Sequence, residues 1–135
     1  MTTAEKPIPR VDDLNRPFWE AANRGELVLQ RCRDCGRWRY PPSWGCPDCL
    51  SEDTEWAPVS GRGALYSWVV FHRSYHPAFE VPYNVAIVEL EEGPRLITNV
   101  VDCALEEMRV GMPLEVTFDR VTEEIALPKF RPRTP

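Results

Sequence analysis

The order of apolar and polar positions divides the chain into a short helical stretch and a long series of strands. Leu14, Phe18, Ala21 and Ala22 recur at helical spacing between Asp12-Asp13 and Gly25, with Trp19 on the edge of the apolar face. Asp12 or Asp13 is a candidate cap, and acidic groups suit a helix N-terminus. Pro17 fits only in the first turn of a later start capped by Asn15, and Gly25 is a stop signal. Such a face packs on the rest of the fold or, given the Phe18-Trp19 payload, docks on a partner. Glu26–Arg31 reads as a strand running into Cys32, and a further short strand is expected around Trp56.

Past Gly61-Arg62-Gly63 the pattern turns β-rich. Strands are expected over 64–73, 82–90, 95–102, 113–120 and 125–130. The fourth is the cleanest, with Leu114, Val116 and Phe118 alternating against Glu115, Thr117 and Asp119. A single helical turn at Leu105–Met108, ended by Gly111, separates the third and fourth. That order matches the five-stranded Greek-key barrel of the OB-fold, and a small sandwich would give the same pattern.

Composition narrows the classes. The 135 residues allow one ordinary domain or two small modules. Sixteen Lys+Arg against 21 Asp+Glu leave a net charge of −5, a poor match to a phosphate-backbone binder. No apolar run is long enough for a transmembrane helix, and the N-terminal stretch lacks the apolar core of a signal peptide. The expectation is a soluble, cytoplasmic protein. Fourteen prolines are about twice the ~5% average usage.

Five cysteines in a reducing compartment read first as metal ligands. Cys32-Arg-Asp-Cys35-Gly36 and Cys46-Pro-Asp-Cys49 are two Cys-x-x-Cys turns separated by ten residues. Each presents two thiolates from one side, and two facing turns make a tetrahedral four-sulfur cage suited to one structural zinc. Gly36 permits the positive φ such a turn requires. Two disulfides, a redox pair or a four-thiolate iron site are the competing readings, with iron chemically closest to zinc. Cys103 stands alone and reads as a structural thiol. The fold class is thus mainly β with an N-terminal helix: a flexible tail at 1–11, helix and rubredoxin-like zinc ribbon at 12–60, and an OB-fold at 61–132.

This ordered set resembles the zinc-ribbon/OB-fold acyl-CoA-associated proteins, domain-of-unknown-function family 35. The resemblance is carried by Phe18-Trp19-Glu20, Gly25-Glu26-Leu27, the two cysteine pairs, Tyr40-Pro41-Pro42 and Gly61-Arg62-Gly63. It continues in His72-Arg-Ser-Tyr-His-Pro77, Val88-Glu89-Leu90, Gly111-Met112-Pro113-Leu114 and Phe130-Arg131-Pro132. It implies a non-catalytic accessory subunit of a thiolase-like enzyme (thiolase, acyltransferase or steroid side-chain aldolase) acting on acyl-CoA thioesters. The catalytic Cys and His would belong to the partner, and this chain would shape the CoA and acyl channel of a hetero-oligomer.

Against that expectation, Arg31, Arg33, Arg37 and Arg39 form a local cationic patch that suits CoA phosphates or an acidic partner surface, or is simply a solvated hairpin. Tyr40 with Pro41-Pro42 gives a rigid, semi-apolar rim. His72, Tyr75, His76, Phe79 and Tyr83 crowd one loop, more aromatics than a connector needs, and are assigned to the partner interface and acyl tunnel. A catalytic His72/His76 dyad lacks a carboxylate or nucleophile placed by sequence. The other readings are a single-stranded nucleic-acid module, opposed by the charge, and a stand-alone enzyme or electron carrier. So small a ribbon and barrel also imply dependence on the partner for stability.

Overall fold

The computed structural model describes residues 7–134. Of the expected N-terminal tail, residues 1–6 lie outside the described residues. Helix α1 (Arg16–Asn23) starts from Asn15, with Pro17 in its first turn. Asp12 and Asn15 exchange side-chain bonds instead of capping the helix: the Asn15 N–H donates to Asp12 Oδ1 at 2.9 Å and the Asp12 N–H to Asn15 Oδ1 at 2.8 Å. Phe18, Ala21 and Ala22 are buried on the face the spacing predicts. At its far end the Asn23 carbonyl accepts a 2.9 Å bond from Arg120 Nη2. This satisfies one of the orphan carbonyls of a helix C-terminus.

Three short strands build the ribbon: β1 (Val28–Cys32), β2 (Trp38–Arg39) and β3 (Thr54–Pro58), in the order β2-β1-β3 and antiparallel throughout. Five more build the barrel: β4 (Arg62–Phe71), β5 (Tyr83–Leu90), β6 (Arg95–Thr98), β7 (Pro113–Arg120) and β8 (Ala126–Pro132). Their order is β6-β5-β4-β7-β8. The two ends of this sheet meet through a parallel bridge between Val100 and Phe130. There the Phe130 N–H donates to Asn99 O at 3.1 Å and the Val101 N–H to Phe130 O at 2.8 Å. A five-stranded sheet curled until its first and last strands touch in parallel is OB-like. A 3-10 turn (Leu105–Glu107) stands between β6 and β7, where the single helical turn is expected.

The third expected strand, 95–102, ends as ladder at Thr98. Asn84 is the reason: its Nδ2 donates to Val100 O at 2.9 Å, and its Oδ1 accepts the Val100 N–H at 2.8 Å. A buried side chain thus takes both backbone groups that a neighbouring strand would otherwise use.

One apolar cluster spans the whole assembly. Phe18 of α1 and Leu27 and Leu29 beside and within β1 pack with Leu65, Val88, Leu96, Leu114 and Phe130 of the barrel. Leu29, Val88, Leu114 and Phe130 are fully buried. The ribbon is therefore fastened to the barrel by hydrophobic burial as well as by chain connection. Among the described residues, no helix is long and apolar enough to cross a membrane.

Candidate metal centre and aromatic surface

The two Cys-x-x-Cys turns share one backbone design. In the first, the Cys32 N–H donates to Arg37 O and the Gly36 N–H to Cys32 O, both at 2.9 Å. In the second, the Cys46 N–H donates to Ser51 O and the Leu50 N–H to Cys46 O, again at 2.9 Å. The turns face each other, so that all four Sγ atoms of Cys32, Cys35, Cys46 and Cys49 lie within 4.8 Å of one another. Cys32 and Cys49 approach to 3.5 Å, as do Cys35 and Cys46. A tetrahedron with ~2.3 Å metal–sulfur bonds has edges of roughly 3.8 Å, so these four sulfurs fit a closed metal cage. The cluster is a metal-binding set with no donor other than thiolate and no open position.

Backbone amides favour the thiolate form at the leading cysteine of each turn. The Cys35 N–H, followed by that of Asp34, lowers the Cys32 thiol. The N–H groups of Cys49 and then Asp48 bring Cys46 down to about 6. A hydrogen bond to the charged form is the ordinary cause of such a shift. Cys103, in contrast, is raised, first by burial and then by the Glu107 carboxylate, which together outweigh the opposing charge of Arg109.

Beside this cage the cationic residues separate. Arg37 is exposed and pairs with Asp48. Arg39 is buried, with Nη2 donating to Thr54 Oγ1 at 2.7 Å and to Ser43 O at 3.1 Å. Gln30 fixes the same rim loop: its Nε2 donates to Ser43 O at 3.0 Å and its Oε1 accepts the Ser43 N–H at 2.8 Å. Tyr40 is half-buried against Phe18, ring centroids 5.6 Å apart, and burial raises its hydroxyl pKa. A cleft of about 580 Å³ opens between this rim and the turn Gly93-Pro94-Arg95 of the barrel, and Arg37, Arg39 and Tyr40 all line it.

The aromatic loop lies elsewhere, at the tip of the β4–β5 hairpin. Phe71 stacks on Tyr83 at 5.1 Å, Tyr75 meets Phe71 edge-on at 5.8 Å, and Phe79 bridges Tyr83 at 5.7 Å and His76 at 5.4 Å. Tyr75 is 68% exposed, so the cluster presents ring surface to the outside. His76 is held by an Ala78 N–H donated to its Nδ1 at 3.0 Å. His72 is exposed, and the hydrogen bond and ring contact of His76 go to Ala78 and Phe79, so among the described residues the two histidines do not pair. The hairpin's outward face continues the apolar surface through Val69 and, across the sheet, Ile97. Gln30, Thr54 and Arg95 escape the sequence reading. Gln30 alone leaves a signal there, a lone amide closing the apolar run Leu27-Val28-Leu29.

A four-thiolate ribbon packed on an OB-like barrel defines a class of small two-module proteins, and comparison with known proteins places the chain within it. The zinc-ribbon domain described as "ChsH2, rubredoxin-like zinc ribbon domain" matches residues 19–55, and "ChsH2, C-terminal OB-fold domain" matches 56–119. A DUF35 domain-containing scaffold protein of Methanocaldococcus jannaschii is 38% identical over 101 residues, 73% of this chain and 71% of that one. The chain belongs to the DUF35 family of ChsH2-type zinc-ribbon/OB-fold proteins.

Among its relatives, a probable enoyl-CoA hydratase alpha subunit of Thermomonospora curvata is 43% identical over 132 residues, 98% of this chain. The chain spans 41% of that relative's length. The benzoylsuccinyl-CoA thiolase subunit BbsA of Thauera aromatica is 32% identical over 95 residues, 69% of this chain and 63% of that one. The solved structure of an Ltp2-ChsH2(DUF35) aldolase matches with 43% identity and a TM-score of 0.86, covering 93% of this chain and 98% of that one. Relatives are thus named as hydratase and thiolase subunits and as scaffold proteins.

Proposed function

We propose that this chain is the non-catalytic accessory subunit of a thiolase-like enzyme acting on acyl-CoA thioesters, and that its cysteine cage holds one structural zinc. The observation that carries the reading is the near full-length likeness to a subunit of the Ltp2-ChsH2 aldolase. The closed cage supports it: four thiolates leave no position for substrate or water, so the metal's contribution is to fold the ribbon. The thiol of Cys103 has no base beside it and His76 is tied to its own loop, so neither matches an activated nucleophile or a positioned base. Catalytic groups would come from the partner. The ring cluster of Tyr75, Phe79 and Tyr83, with His72 and His76, would dock on it and border the acyl channel, because rigid aromatics bury area at low entropic cost.

The test is co-production of the tagged chain with a thiolase-like catalytic protein from the same source. Stoichiometric co-purification, and thioester turnover that needs both chains, are expected. Turnover by the partner alone at the rate of the pair, or no association, would overturn the reading. Metal analysis is expected to give a colourless protein with one zinc per chain; a coloured iron protein would overturn that part.

A further inference from the structure

Leu50 combines two features that oppose each other on a protein surface: the left-handed backbone of the second turn, φ 64°, and 81% exposure. Glycine takes the equivalent place in the first turn, and a side chain there is strained without burial to offset it. On the same knuckle Trp44 is 68% exposed. Both side chains stand on fixed backbone. Trp44 follows Ser43, whose N–H and carbonyl are both bound by the buried Gln30 amide and whose Oγ donates to Gly45 O at 2.9 Å. Leu50 lies between Cys49 of the cage and Ser51, whose carbonyl accepts the Cys46 N–H at 2.9 Å and whose Oγ donates to Asp34 of the facing turn. Strain kept at an exposed, rigidly framed position points to a contact outside the chain. A tryptophan held in place beforehand loses little further freedom when it docks.

The charges around the knuckle select the occupant. Residues 43–53 carry Asp48, Glu52 and Asp53 and no lysine or arginine. Asp48 and Asp53 are tied to Arg37 and Arg33, while Glu52 is exposed and makes no ion pair among the described residues. A second copy docking knuckle to knuckle would set this acidic segment against itself, since a two-fold interface pairs like with like. The apolar area is also too small for a dimer of its own. One tryptophan and one leucine offer at most roughly 400 Å², against about 800 Å² per side in a stable complex. We infer that Trp44 and Leu50 anchor the thiolase-like catalytic subunit, seated in an apolar pocket of that protein whose edge carries lysine or arginine opposite Glu52. The partner's identity rests on the accessory-subunit reading, and the anchor adds a contact at the cysteine turns to the one assigned to the aromatic hairpin. The cysteine cage then serves docking as well as folding, because it fixes the backbone on which both side chains stand.

The experiment measures association of the metal-loaded full chain with a thiolase-like catalytic protein from the same source by interferometry, at low and high salt. Trp44→Ser is expected to weaken binding roughly thirtyfold, the size of a tryptophan anchor, chiefly through faster dissociation. Leu50→Gly is expected to weaken it roughly tenfold while leaving the isolated chain at least as stable as the wild type. A side chain with only a structural role would not move those two readouts in opposite directions. Glu52→Lys is expected to slow association several-fold at low salt and to change little at high salt. Metal content and urea unfolding establish that each variant is folded. Unchanged affinity in Trp44→Ser and Leu50→Gly, with the wild-type complex formed, would overturn the anchor and leave the accessory role standing. No complex with the wild-type chain would overturn both. Self-association of the chain, or its sedimentation with phosphatidylcholine vesicles, lost in Trp44→Ser, would give the knuckle to another occupant and overturn the proposal.

Discussion

Leu50 occupies in the second metal-binding turn the place that Gly36 occupies in the first, with φ of 64° at Leu50 and 78° at Gly36. Both follow the second cysteine of a pair and donate the N–H that closes the turn. The left-handed region costs a side-chain-bearing residue roughly 1–2 kcal/mol. Leu50 is 81% exposed and gains little burial in return. Leu50→Gly is therefore expected to stabilise the metal-loaded chain by about 0.5–1 kcal/mol after the added unfolded-state entropy of glycine. Gly36→Ala is expected to cost about 1 kcal/mol. Urea unfolding measures both, and an unchanged midpoint in Leu50→Gly would contradict the strain argument.

Asn84 and Val100 pose a second question of stability. Both are buried, and the Asn84 amide is the partner of both Val100 backbone groups. Asn84→Ala leaves a buried N–H and a buried C=O unpaired at the point where the barrel closes. Each costs about 1–3 kcal/mol, so the expected loss is roughly 2–4 kcal/mol. Amide exchange reads the same event locally: the Val100 N–H is expected to lose protection well before Leu65 or Val88 does. Uniform loss of protection across the sheet would assign the cost to packing instead.

How much of this the sequence disclosed follows from range. The helix face, the paired cysteines and the barrel strands are periodic over a few residues, so local pattern reveals them. The two-residue strand Trp38–Arg39 is too short to carry a period. The early end of β6 depends on Asn84, which no local rule connects to Val100 sixteen residues on. Arg39 reads as one of four clustered arginines until Thr54, fifteen residues on, and the Ser43 carbonyl, itself fixed by Gln30, take its Nη2. The cleft it lines exists only because the shared core of Phe18, Leu29 and Phe130 presses the ribbon against the barrel.

Removing the metal tests the ribbon's share in that core. Cys32 and Cys46 are almost wholly buried, and Cys32 closes the strand that holds Leu29. Structural thiolate sites couple directly to folding. Cys46→Ser, or chelation of the native chain, is expected to lower the unfolding temperature by about 10 °C or more, at roughly 3–5 °C per kcal/mol for a chain of this size. Re-addition of zinc should restore the chelated protein but not the variant. An unfolding temperature unaffected by chelation would mean that the barrel stands without its ribbon.

Acid behaviour has a local probe at the turn after β5. Arg62 grips Glu91 with two bonds, Nε to Oε1 and Nη2 to Oε2, each 3.0 Å. This contact, ahead of the opposing effect of desolvation, holds the Glu91 pKa below its usual value. A depressed carboxylate contributes stability that is full above its unfolded pKa and is lost as pH falls through its folded pKa. Glu91→Gln is therefore expected to match the wild type at the acid end and to be less stable near neutrality. The pair is exposed, so the difference is small and fades with salt. Parallel stability–pH curves for the two proteins would exclude the contribution.

The aromatic hairpin gives the decisive mutation for the accessory role. Phe79 contacts His76 and Tyr83, but neither it nor His76 belongs to the buried core. His76→Ala/Phe79→Ala should therefore leave the unfolding temperature of the isolated chain nearly unchanged. If these rings dock on a thiolase-like partner, the same change removes an aromatic anchor of the kind that carries about 2 kcal/mol or more of binding. Affinity is then expected to fall by roughly thirtyfold, with faster dissociation as the main kinetic effect. Turnover of the assembled pair at saturating subunit should separate two roles: recovery marks a docking surface, and a persistent defect marks a wall of the acyl channel. Unchanged assembly together with unchanged turnover would remove this loop from the interface and turn attention to the outer face of β4–β6, where Val69 and Ile97 are exposed.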